Sequence, residues 1–132
     1  MTINLLLPPI AGLVFILYAG CIALDIRFKK KRLWILPCIL SVLFLAFSIY
    51  AIATEGLFGF WTEHVNTIWG NQIWLDLLFA VGIGWFLVVP RAKECGMRPV
   101  PWLFFVICTG CIGFMAMISR LLYLEENSER RA

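Results

Sequence analysis

The sequence predicts an all-α, polytopic membrane protein, a bundle of four transmembrane helices with both termini outside. Three observations carry this expectation. Of the 132 residues, 62% are apolar, 15% aromatic and only 14% charged, a balance that cannot be arranged around one water-soluble core. Four stretches, 5–26, 33–54, 69–89 and 101–124, reach the roughly 20 apolar residues that a helix needs to cross about 30 Å of hydrocarbon. The basic residues, finally, gather in alternate loops. The chain is expected to form one membrane domain over 1–132, with 125–132 as a polar C-terminal tail.

The first span, 5–26, has Pro8 and Pro9 within about a turn of its start, where a missing N–H costs little, so they are expected to mark a helix start rather than a kink. The tetrad "YAGC", 18–21, approximates a lipoprotein cleavage site. A secretory signal, however, carries its cations ahead of the apolar core, and here they follow it, so neither cleavage nor lipidation is expected. Asp25 sits at the inner end of this span beside Arg27 and Lys29, where it is expected to be solvated or paired. The run Lys29 to Arg32 also suits anionic lipid headgroups, although topogenesis alone explains it.

The second span, 33–54, opens on Trp34 and Pro37. The loop before it, "RFKKKR", holds five cations, and the loop "RAKECGMRPV", 91–100, adds Arg91, Lys93 and Arg98. The intervening loop, 55–69, has none. Eight of the eleven Lys and Arg residues therefore lie in two alternate loops. Lys and Arg favour the cytoplasmic side, so the loops 27–32 and 91–100 are expected in the cytoplasm of an inner (plasma) membrane protein, with N and C termini out. Tryptophans prefer the headgroup level. Trp34 and Trp102 would mark the inner boundary, and Trp61, Trp69 and Trp74 the outer one.

The third span, 69–89, carries a carboxylate, Asp76, about 10 Å below its outer end. An acid at helix centre costs about 2.5–3.5 kcal/mol on insertion scales and usually faces a bundle interior with a partner. Gln72, Asp76, Ala80 and Gly84 recur every four residues and share one face. Thr109, Gly113, Ala116 and Arg120 share a face of the fourth span, 101–124. With the two spans antiparallel, Asp76 and Arg120 fall at matching depths. The expectation is a close-packed pair of third and fourth helices, small residues at the contact, closed by an Asp76–Arg120 ion pair. That pair either locks the fold or lines an outward-facing polar cavity with Glu55, His64 and Gln72.

The five cysteines, Cys21, Cys38, Cys95, Cys108 and Cys111, all map to the cytoplasmic half, where disulfides are not expected. "CTGC", 108–111, spaces Cys108 and Cys111 one helical turn apart, with Met115 nearby, a donor set for a soft ion such as Cu(I). Small buried hydrophobes explain the same residues. His64 is the sole histidine, which leaves no bis-histidine haem. No phosphate loop, nucleophile motif or catalytic dyad appears, so no cofactor is implied by a specific motif and no nucleic-acid partner is expected. The layouts around "KKKRLWILPC" and "MRPVPWLFFVIC" are similar, but two copies do not make a repeat architecture.

The segment "WLDLLFAVGIGWFLVVPRAKECGMRPVPWLFF", followed by "RLLYLEE", resembles a family of small bacterial four-helix membrane proteins defined by a domain of unknown function. Asp76, Gly96, Met97, Arg98 and Trp102 match its pattern, whereas Ser119 and Arg120 stand where the family carries a proline. The resemblance covers the C-terminal half and is distantly shared with membrane proteins of plant neoxanthin formation, which implies a lipophilic, isoprenoid-like ligand and no catalytic residue.

The expected function is therefore that of a non-enzymatic accessory subunit, or of a binder of an isoprenoid, pigment, quinone or lipid, with membrane lipids or a membrane protein as partners. A small proton-coupled transporter using Asp76, and an enzyme acting on isoprenoid or lipid substrates, are the alternatives. Small multidrug exporters have a similar size, but they place their acid in the first helix.

Overall fold

The computed structural model describes residues 2–24 and 32–129. Among them are six α-helices and no strand: α1 (Thr2–Ala23), α2 (Ile35–Glu55), α3 (Gly59–Val65), α4 (Ile68–Glu94), α5 (Pro99–Thr109) and α6 (Cys111–Glu129). The all-α class is as expected. Asp25, the basic run 27–31, the tail beyond Glu129 and the Cys21 side chain lie outside the described residues. The chain divides into two compact units, Met1–Lys30 and Lys31–Ala132.

The first unit is α1. Pro8 and Pro9 stand inside this helix rather than at its start, because the helix begins several residues earlier than the apolar run suggested. No charged side chain occurs between Thr2 and Leu24.

In the second unit, α2 and α4 are both long and apolar enough to cross a membrane. The connection between them is more ordered than the expected loop. Residues Gly59–Val65 form the short helix α3, and Gly70, in the first turn of α4, lies so close to it that a β-carbon there would collide with the Glu63 carbonyl oxygen. Thr67 caps α4, its hydroxyl accepting from the Gly70 N–H at 2.8 Å, which satisfies one of the donors a helix start leaves unpaired.

Helix α4 runs on through Pro90 to Glu94, past the expected end at 89. It stops in a Schellman turn. Gly96 has φ 75°, the Met97 N–H donates to Ala92 O and the Gly96 N–H to Lys93 O, both at 2.9 Å. A glycine takes that left-handed conformation without a side-chain penalty. The accompanying apolar contact of this motif is present too, for Ala92 and Met97 are buried together with Met117 and Leu121. Trp85, Val88, Val89, Trp102 and Leu124 pack around this cluster.

The expected fourth span, 101–124, is two helices. Gly110, at φ 59° and ψ −128°, separates α5 from α6. The hydrogen bonds of α6 fix its course. Ser41 donates to the Ile112 carbonyl at 3.0 Å and Ser119 donates to the Trp34 carbonyl at 2.9 Å. Seven residues forward on α6 therefore correspond to seven backward on α2, and the two run antiparallel. Against α4 the direction is the opposite. A β-carbon on Gly84 would meet the Phe114 ring at 2.7 Å, and Arg91 pairs with Glu125 at 2.8 Å. Both helices advance together, so α4 and α6 are parallel, which corrects the antiparallel pairing expected from a single fourth span.

Candidate functional site

The second unit has two ends with different chemistry. At the α3 end, His64 donates through Nδ1–H to the Phe60 carbonyl one turn back. Its ring meets the Trp74 ring edge-on with centroids 5.0 Å apart, and Phe60 approaches Trp74 at 6.3 Å. The close approach that Gly70 permits is what lets α3 lay these rings on α4. Beside them is an open cavity of about 220 Å³ lined by Glu63, His64, Thr67, Trp69, Gly70 and Ile73. Glu55 ends α2 and is exposed, its side chain against Gly59.

Asp76 lies about two turns into α4, exposed, as are Gln72 and Ala80. No ion pair or hydrogen bond reaches it among the described residues, where the ion pair is Arg91–Glu125. Arg120 is exposed on α6, its guanidinium carbon 5.7 Å from the centre of the Tyr123 ring. It stands five residues before Glu125, which is held at Arg91, whereas Asp76 stands fifteen residues before Arg91 on a parallel helix. The two groups belong to different levels, and the expected Asp76–Arg120 pair is not formed.

The small residues expected at a helix contact are used differently. Gly84 receives the Phe114 ring, as a contact between α4 and α6. Thr109 and Gly113 close the turn between α5 and α6 instead. Thr109 donates to the Phe105 carbonyl at 2.7 Å, and a β-carbon on Gly113 would be 2.9 Å from that same oxygen. Ala116 is half-buried on α6. Cys108 is exposed and Cys111 half-buried on either side of Gly110, both free thiols. Among the described residues no three His, Cys, Asp or Glu side chains come together as a metal site.

The opposite end is a basic face closed by two acids. Arg91 donates to Glu125 through Nε at 3.0 Å and Nη2 at 2.8 Å, a forked pair, and the Arg32 backbone N–H donates to Glu126 at 2.9 Å. Arg32 has φ 67°, a strained backbone for a residue with a side chain. Trp34 meets Tyr123 edge-on at 5.5 Å. Cys95, in the loop beside this clasp, has its thiol pushed up, first by burial and then by Glu125 and Glu94, with Arg91 opposing. Glu125 opens the stretch expected as a polar C-terminal tail, and composition alone gives no sign that it is held at Arg91.

Together these features define a helical, strongly apolar chain with two helices able to cross a membrane. No family model, curated protein or solved structure matches it.

Proposed function

We propose that the chain is a non-enzymatic, multi-pass inner-membrane protein that serves as an accessory subunit or holds a lipophilic molecule, its basic loops facing the cytoplasm. The observation that carries this reading is the uncovered face of α4. Ile73, Phe79, Ile83 and Phe86 are 59–78% exposed, and Asp76 is exposed on the same helix. Among the described residues of the second unit no element covers them. Apolar surface of this extent favours hydrocarbon over water, but a carboxylate does not. A face carrying both suits a partner within the membrane that brings a hydrogen-bond donor to Asp76. The resemblance to small four-helix membrane proteins supports the same class of partner or ligand.

The test has two parts. Washing membranes with alkaline carbonate should leave the protein in the pellet. Native mass spectrometry in mild detergent should then show the 15.1 kDa chain with a second subunit or a lipophilic molecule bound, and Asp76→Leu should lose it. Release by carbonate, or a bound population confined to bulk phospholipid in both proteins, would sink the reading.

A further inference from the structure

We infer that α5 and α6 form a re-entrant hairpin, which enters the membrane from the face carrying the 91–98 loop, turns at Gly110 and returns, so that the C-terminal end lies on the same side as that loop. The inference rests on the membrane reading above and replaces a fourth crossing with a dip.

Length is the first argument. Helix α5 has 11 residues, about 16 Å at 1.5 Å per residue, half of what a crossing requires. Depth agrees from the other side of the contact. Ser41, which donates to Ile112 just past the turn, lies seven residues along α2 from Trp34, about 10 Å in. The tip of the hairpin thus reaches near mid-membrane and no further.

Direction is the second. Ile112 to Ser119 follows α2 backwards to Trp34, and Glu125 and Glu126 end at Arg91 and Arg32. A helix that crossed would carry those acids away from both arginines.

The protein also supplies hydrogen bonds at the turn, as a break inside a bilayer needs. Irregular backbone at membrane depth survives only where protein supplies its hydrogen bonds. The Gly110 N–H donates to the Val106 carbonyl at 2.7 Å, the Phe114 N–H donates to the Gly110 carbonyl at 3.2 Å, and Ser41 supports Ile112. The glycine at 113, packed against the Phe105 carbonyl, lets the two helices close.

Charge gives an argument independent of geometry. Three of the eleven cations, Arg120, Arg130 and Arg131, lie outside the two basic loops. A crossing fourth span puts all three outside, against the bias that places Lys and Arg within. The hairpin returns them to the basic side. Arg120 fits this placement. Its guanidinium lies over Tyr123, one turn nearer the basic end, as a long cation does when its stem stays in an apolar layer and its head reaches for water.

The inference is tested in the full chain with its natural cysteines replaced by serine. Single cysteines Lys93→Cys, Ser128→Cys and Asn66→Cys, all at exposed positions, are treated in sealed vesicles of known orientation with a membrane-impermeant maleimide. Lys93→Cys and Ser128→Cys should label from one side and Asn66→Cys from the other; labelling of Ser128→Cys together with Asn66→Cys overturns the hairpin. In detergent, the pair Arg91→Cys and Glu125→Cys should oxidise to an intramolecular disulfide in most chains, reversible by reductant, and its absence overturns the hairpin as well. This cross-link does not depend on a bilayer. Carbonate release with the cross-link intact would therefore fault the membrane reading, and a retained protein without the cross-link would fault the hairpin.

Discussion

Gly70 and Gly113 each lie against a backbone carbonyl that cannot move aside, so a single methyl there forces helices apart. Overpacking of this kind costs about 1–3 kcal/mol. Gly70→Ala and Gly113→Ala should lower the thermal midpoint in detergent, whereas Gly82→Ala, with open space around its β-carbon, should leave it unchanged or raise it through better helix propensity. Cys95 offers a chemical readout at the same scale. The thiolate is the nucleophile, and Glu125 is among the groups that hold this thiol protonated. Glu125→Gln lowers the pKa and should speed alkylation at pH 8, while Arg91→Gln removes the opposing cation and should slow it. Rates of iodoacetamide modification check both signs. The sequence pattern led to the expectation that Gly84 and Gly113 lie at helix contacts, but it did not say which surface each would meet. A small residue states only that something comes close.

At the level of elements, three contacts set the frame. The Thr67 cap is worth about 1 kcal/mol, and the Ser119 bond to Trp34, in a part-buried position, a similar amount. Thr67→Ala and Ser119→Ala should each lower unfolding free energy by about that much. The Arg91–Glu125 pair should contribute less, about 0–1 kcal/mol, because its side chains are 52% and 29% exposed; a double-mutant cycle with Arg91→Gln and Glu125→Gln checks it. The sequence made the presence of α2 and α4 readable, since both are long apolar runs, although α4 continues through Pro90 to Glu94 beyond its apolar stretch. It hid α3, whose aromatic residues gain helical order by packing on α4 around Gly70. It also hid the break at Gly110. A window of hydropathy sums side chains, and one glycine in "FFVICTGCIGFMAM" barely lowers the sum, whereas the backbone reverses there because φ is positive and Gly113 can approach Phe105.

For the molecule as a whole, the misplaced direction of one helix changed the meaning of its most conspicuous acid. With α6 parallel to α4, Arg120 lies toward the basic end, and Asp76 has no ion-pair partner among the described residues. Asp76→Leu should therefore leave the thermal midpoint of the isolated protein unchanged or higher, since no internal ion pair is lost, while it weakens association with whatever covers α4. A fall of several degrees in the isolated chain would argue instead that Asp76 holds the fold. The helical class was legible from composition and from the long apolar stretches, and at one end of the second unit the two acids of α6 meet Arg91 and the Arg32 backbone. What composition could not supply was the return path of the C-terminal third, because apolarity measures preference for hydrocarbon and is silent on whether a chain goes through it or comes back.

The Gly110 turn bears finally on how such a protein is made. On the re-entrant path proposed above, the segment carries neither Glu125 nor Glu126 through the bilayer. Its insertion can follow release from the ribosome, driven by the apolar side chains of α5 and α6 and guided by the already seated α2, with no export of the polar tail to accomplish.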